Sequence, residues 1–296
     1  MRLLDRRDGD DRHICANNLD HQQLMQAAGL QPVESAAANR HPLCMASATP
    51  STTQVPAASD IPPRTKLEDL DRETLERMLE AGKDVLECYR VLKKTNDNIV
   101  GELLRDTGTF YQWQHYPKGD IFDRDSHSQY YYHAHPKDQR PGEHGHFHTF
   151  KRASGMKRGV EPVPYDGEAT WPVGTDALSH LIAISMDPKG FPIGMFTVNR
   201  WVTGESWYRA SDVCDMVDTY EIDHARPSWP VNRWITGMVG LFSPLVKDLI
   251  RERDLALETR RSTHPGDVYE DKGLEVTSQS PISVEKQITR LRALLA

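Results

Sequence analysis

From Thr109 to Val198 the apolar and aromatic residues of this chain recur at every second position, the period at which a β-strand buries one of its faces. The expected strands are Phe110 to Tyr116, Gln129-Tyr-Tyr-Tyr-His-Ala-His135, His144-Gly-His-Phe-His-Thr-Phe150, His180 to Asp187 and Phe191 to Val198. The last two read as a hairpin, because Pro188 presets a turn and Gly190 supplies a positive φ. Gly155 to Gly174, rich in Pro and Gly, reads as a connection.

On either side the period changes to that of a helix. Leu75, Met78, Leu79, Val85, Leu86, Tyr89 and Leu92 fall on one helical face, with Asp71 placed to cap it, and Ile99 to Leu104 follow as a second short helix. After the strands, Ser211 is expected to cap a turn carrying Val213 to Tyr220. Pro230 to Phe242 and Pro244 to about Arg260 form two helices separated by a proline, and Ser283 caps a last one bearing Val284, Ile288, Leu291 and Leu295. Helices, then antiparallel hairpins, then helices make the expected class α+β. The string Val-Asn-Arg-Trp recurs at 198 and 231, but the first copy leaves a strand and the second enters a helix, so it does not mark a repeat architecture.

No Trp, Tyr or Phe occurs before Tyr89, and residues 1–66 are dominated by Ala, Asp, Asn, Gln, Ser, Thr and Pro. Such a stretch has little apolar surface to set against its chain entropy. We expect a disordered tail over 1–66, with a short helix near His21 to Ala28, and a single α+β domain over 67–296. The net charge of -7 argues against a nucleic-acid or anionic-membrane partner, which would need a basic surface. Cys15, Cys44, Cys88 and Cys214 are far apart in sequence and form no zinc-finger or disulfide pattern. With no apolar run long enough for a membrane span and no secretory leader pattern, a cytoplasmic location is expected. The oligomeric state is not legible.

The strongest chemical signal is the density of histidine. Eight of the 13 histidines lie between His115 and His180, and five form the groups His133-Ala-His135 and His144-Gly-His-Phe-His148. Alternate residues of a strand share a face, so a hairpin pairing His133 with His146 and His135 with His144 would bring all five imidazoles together. A slip of one residue would separate the groups. Neutral imidazole is the commonest metal ligand, so His133, His135, His144, His146 and His148 are the candidate ligands for one transition-metal ion, zinc or iron. Glu143 is the candidate catalytic carboxylate, as a further ligand or as a base toward metal-bound water. Arg200 is the candidate to steer a small anionic substrate, Tyr131 to contact it, and an Arg200 salt bridge within the fold is the competing use. His180 alternates with Ile182, Ile184 and Met186 and is expected in the core. The run Asp120, Asp123, Asp125 between His115 and His127 reads as a solvated loop.

The strings Gln129 to His135, His144 to Phe150 and Thr197-Val-Asn-Arg-Trp-Val-Thr-Gly-Glu-Ser-Trp207 resemble a family of uncharacterised, mostly proteobacterial proteins known as a domain of unknown function. The resemblance extends through Ile222-Asp-His-Ala225 and Pro227 to Trp234 and covers about Leu67 to the C-terminus. It implies a domain boundary and carries no activity, ligand or catalytic residue with it. Three readings therefore stand at the level of sequence. One is a metal-binding protein, which would be a metal-dependent enzyme if the ion activates water or dioxygen. Another is a non-catalytic module for a small molecule, and the third is a structural protein whose histidines and tyrosines bond to one another.

Overall fold

Asp71 begins the first long helix as its sequence requires. Its carboxylate accepts the N–H of Thr74 at 2.7 Å, and helix α1 runs from Arg72 to Lys93 with Leu75, Met78, Val85, Cys88 and Leu92 buried along one side. The computed structural model describes residues 63–136 and 138–296. The expected tail helix at His21 to Ala28, Cys15 and Cys44 lie outside them, and Cys88 and Cys214 are buried free thiols. Helix α2 follows at Ile99–Leu104, capped by Asn98, whose Oδ1 accepts from Val100 and Gly101.

Six strands then form one antiparallel sheet: β1 (Tyr116–Phe122), β2 (Ser128–His133), β3 (Gly145–Arg152), β4 (Leu178–Met186), β5 (Pro192–Val198) and β6 (Val276–Pro281). Their order across the sheet is their order in the chain. Helices α3 (Arg200–Thr203), α4 (Ala210–Val217), α5 (Trp229–Leu241) and α6 (Ser243–Thr263) separate β5 from β6, and α7 (Val284–Leu295) ends the chain. The seven helices and antiparallel sheet among the described residues make the fold α+β. No helix among them is long and apolar enough to cross a membrane.

Two strand expectations are corrected. Phe110 to Tyr116 is not a strand: Trp113 takes a φ of +69° and gives its N–H to Ala134 O, which breaks extension there. The edge strand begins at Tyr116 and includes Asp120 of the acidic run read as a loop. Pro117 and Gly119 are tolerated because one side of β1 has no neighbouring strand among the described residues and its register with β2 shifts between Tyr116 and Ile121. Strand β6 went unread because its sequence, Val-Thr-Ser-Gln-Ser-Pro, lacks apolar alternation. Its buried hydroxyls are satisfied locally instead, with Ser278 donating to Leu249 O at 2.7 Å and Thr197 meeting Thr277 and Ser278. Ser211 also differs from expectation: α4 is capped at Arg209 without a side-chain bond, and Ser211 lies inside the helix.

The main core lies between the helices and one face of the sheet. Tyr130, Tyr132, Phe147, Ile182, Ile184 and Met195 meet α5 and α6, with Trp234 at 5.5 Å from Phe147, ring to ring. Burying each such side chain contributes about 1.5–3 kcal/mol. The buried polar tips find partners, as where Tyr130 donates to Asn232 Oδ1 at 2.7 Å. With this face committed to the helices, the alternate residues of β2 and β3, Tyr131, His133, His146 and His148 among them, point to the other side.

Candidate metal centre

On that other side β2 and β3 pair with Tyr131 opposite His148 and His133 opposite His146, the register on which convergence of the imidazoles depended. His133 is 8% exposed, His146 1% and His148 fully buried. One nitrogen from each ring lies within 4.8 Å of the other two, so the three form a buried set that could hold a metal ion. His133 Nε2 and His146 Nε2 are 2.7 Å apart. Just past the end of β2, His135 adds a half-buried Nε2 at 3.3 Å from His133 Nε2, while its Nδ1 faces Gln139 Oε1.

His144 does not join them. It precedes the first residue of β3, and its Nδ1 lies 2.6 Å from Tyr132 Oη with its ring stacked near Phe110, on the core side. The expected convergence of five imidazoles is thus corrected to four, because alternation ends where the strand ends. Glu143 lies beside the set: its Oε1 is 2.6 Å from His146 Nδ1. A carboxylate there accepts an N–H, which fixes the proton of His146 on Nδ1 and leaves its Nε2 with a lone pair. Glu143 is thus placed to orient His146.

Burial is the largest influence on the charge of these rings. It pushes His133 down to about 2, with His146 and His135 adding to the effect, and drives His146 and His148 well below the ordinary imidazole range. His135 is also lowered, mainly by burial. At neutral pH the set is uncharged, which is the state in which imidazole binds metal. Arg140 is the nearby cation, with Nη2 at 3.0 Å from Glu275, Nη1 at 3.9 Å from Glu143 and its guanidinium 4.4 Å above the Phe196 ring.

Aromatic rings frame the site. Tyr131 lies 5.1 Å from His148 and 5.6 Å from His133, ring to ring, and His115 stacks on it at 3.6 Å. Trp113, 55% exposed, meets His135 edge-on at 4.2 Å. Arg200, expected to steer an anion, is used inside the fold. Its Nε donates to Glu205 O at 2.9 Å, Nη1 to Glu270 at 2.5 Å and Nη2 to Thr170 O at 3.0 Å.

His180, expected in the core, is buried at 1% exposure, and the face it takes is the one opposite the helices, where its Nε2 lies 3.0 Å from His148 Nδ1. An irregularity in β4 turns it over, and nothing in the unbroken alternation of His180, Ile182, Ile184 and Met186 announces it.

Comparison with curated proteins and with solved structures found no match. Residues 79–282 match the family described as a domain of unknown function, DUF6969, and since that span is more than half of the 296 residues, the chain belongs to this family.

Proposed function

We propose that this protein binds one transition-metal ion, zinc or iron, through His133, His146 and His148, with His135 at the rim of the site. The observation that carries the reading is the buried set of His133, His146 and His148, in which His148 Nε2 has no hydrogen-bond partner among the described residues. A network of hydrogen bonds alone leaves that atom unsatisfied, at a cost of about 1–3 kcal/mol, whereas a cation satisfies it. Glu143 supports the same reading, because a carboxylate on the far nitrogen of a ligand histidine raises its basicity and holds its orientation.

Three neutral protein ligands leave a coordination position for water or substrate, the arrangement of a site that activates water. The side toward His135, Trp113 and His115 is the one from which a substrate would enter, since these three are the more exposed of the surrounding rings. A small substrate there meets aromatic surface, including Tyr131, and Arg140 is the guanidinium in reach of an anionic group.

The test is elemental analysis of the full-length protein beside His133→Ala/His146→Ala. We expect near one equivalent of a single metal in the parent and its loss from the double variant. A parent that carries no metal after growth in supplemented medium, and binds none on titration, overturns the reading. In that case a thermal shift with organic anions that persists in strong chelator would identify a metal-free small-molecule module.

A further inference from the structure

Strand β4 pairs with β3 in regular order from Met186 opposite Gly145 to Ile182 opposite Thr149, and then Phe150 pairs with His180. Leu181 is therefore an extra residue, a bulge. Because strand side chains alternate, an extra residue moves everything beyond it to the opposite face. Without Leu181 as a bulge, His180 would stand among Ile182 and Ile184 against the helices; with it, His180 joins His148 and Phe150.

Buried polar groups hold the bulge in place. Thr149 Oγ1 donates to Ile182 O at 2.7 Å and accepts the N–H of Ile182 at 3.3 Å. Glu205, completely buried, accepts the backbone N–H of His180 at 2.5 Å and the hydroxyl of Thr203 at 3.1 Å. A buried carboxyl and a buried hydroxyl thus serve one local irregularity, whose outcome is a histidine 1% exposed with Nε2 at 3.0 Å from His148 Nδ1.

The geometry points to His180 as a positioning residue for the metal ligand His148, an inference that rests on the metal reading above. A neutral imidazole carries one N–H and one lone pair. When His180 Nε2 accepts the Nδ1–H of His148, the lone pair of His148 is on Nε2, and His180 carries its own proton on Nδ1; both of these buried nitrogens are without a hydrogen-bond partner among the described residues. The opposite assignment puts a proton on His148 Nε2 and closes it to a cation. His180 therefore does for His148 what Glu143 does for His146, with an imidazole in place of a carboxylate.

The experiment uses the full-length protein, zinc alone as the probe, and the variants His180→Leu and His180→Gln. Leu removes the acceptor while keeping the bulk, and Gln can return an acceptor. Chelator competition should show zinc affinity about 10–100-fold weaker in His180→Leu and within a few-fold of the parent in His180→Gln. A purely structural role would lower the stability of zinc-free His180→Leu and leave the affinity of its folded form unchanged, and that result overturns the inference. Should His180→Leu fail to fold, nitrogen-15 histidine spectra of the zinc-loaded parent decide the matter. A proton on His148 Nδ1 is expected, and a proton on His148 Nε2 overturns it. A parent that binds no zinc or other metal overturns the metal reading and this inference with it.

Discussion

Glu205 lies deep in the protein with an accessible area of zero, and burial pushes its carboxyl up to about 7 against the lowering influence of Arg253 and its own hydrogen bonds. In the unfolded chain it titrates near 4.5. As pH rises from 4.5 through 7 the unfolded chain has released this proton while the folded protein retains it, so the contribution of Glu205 to stability falls across that window. Glu205→Gln is insensitive to pH at this site. The stability of Glu205→Gln relative to the parent should rise by about 2–3 kcal/mol between pH 5 and pH 8, as read by denaturant unfolding. A difference that stays constant over that range would show that the carboxyl does not hold its proton in the fold. At this scale the sequence was informative where a residue's role follows from strand alternation. His133, His146 and His148 could be placed together from the H-x-H spacing once the strands were paired. His144 and His180 could not, because one sits just beyond the end of a strand and the other just beyond a bulge. Alternation predicts neither event. Arg200 was read with both uses open, and only the positions of Glu270, Thr170 and Glu205, distant from it or silent about direction in the sequence, decide between them.

Among the elements, the pairing of α1 with α5 is set by small residues. A Cβ added at Gly237 would stand 2.9 Å from Val85 Cγ2 and 3.0 Å from the carbonyl oxygen of Ala81, and one added at Gly240 would meet Ala81 Cβ at 3.0 Å. Helix propensity alone favours Ala over Gly by about 0.8–1.0 kcal/mol. Here the backbone carbonyl of α1 cannot withdraw without separating the helices, and forcing extra bulk into a packed interior costs typically about 1–3 kcal/mol. Gly237→Ala should therefore lower the unfolding midpoint. An increase in stability would mean that α1 and α5 have room to part. The helices were the most legible elements, since Asp71 and Ser283 each cap the helix whose apolar face follows. The strands at the two edges of the sheet were the least legible. An interior strand shows its burial as hydrophobic alternation, whereas β1 has a neighbouring strand on one side only among the described residues and β6 fills its buried positions with hydroxyls.

Over the whole molecule, the chain just ahead of α1 is tied to its opposite end. Arg64 holds Glu252 of α6 through two bonds, at 2.6 and 3.0 Å, and reaches Ser280 and Gln279 of β6, while Thr65 binds both oxygens of Asp248. These positions precede Leu67, where composition alone suggested that the domain begins, because a polar anchor carries no hydropathy signal. Asp248 and Glu252 are nearly buried, so removing a partner leaves a carboxylate poorly compensated. Arg64→Ala in the full-length chain should cost about 1–3 kcal/mol in chemical denaturation, and an unchanged midpoint would show that the contact is dispensable. The sheet itself runs from β1 to β6 in chain order, so these two are its outer strands among the described residues. At β1, Pro117 offers no N–H, and the shifted register with positive φ at Gly119 and Asp120 bends the strand away from flatness. At β6, Pro281 ends the run of donors. Pro117 and the bend thus interrupt the run of backbone donors along β1, the kind of feature by which an outer strand resists being extended by a second polypeptide.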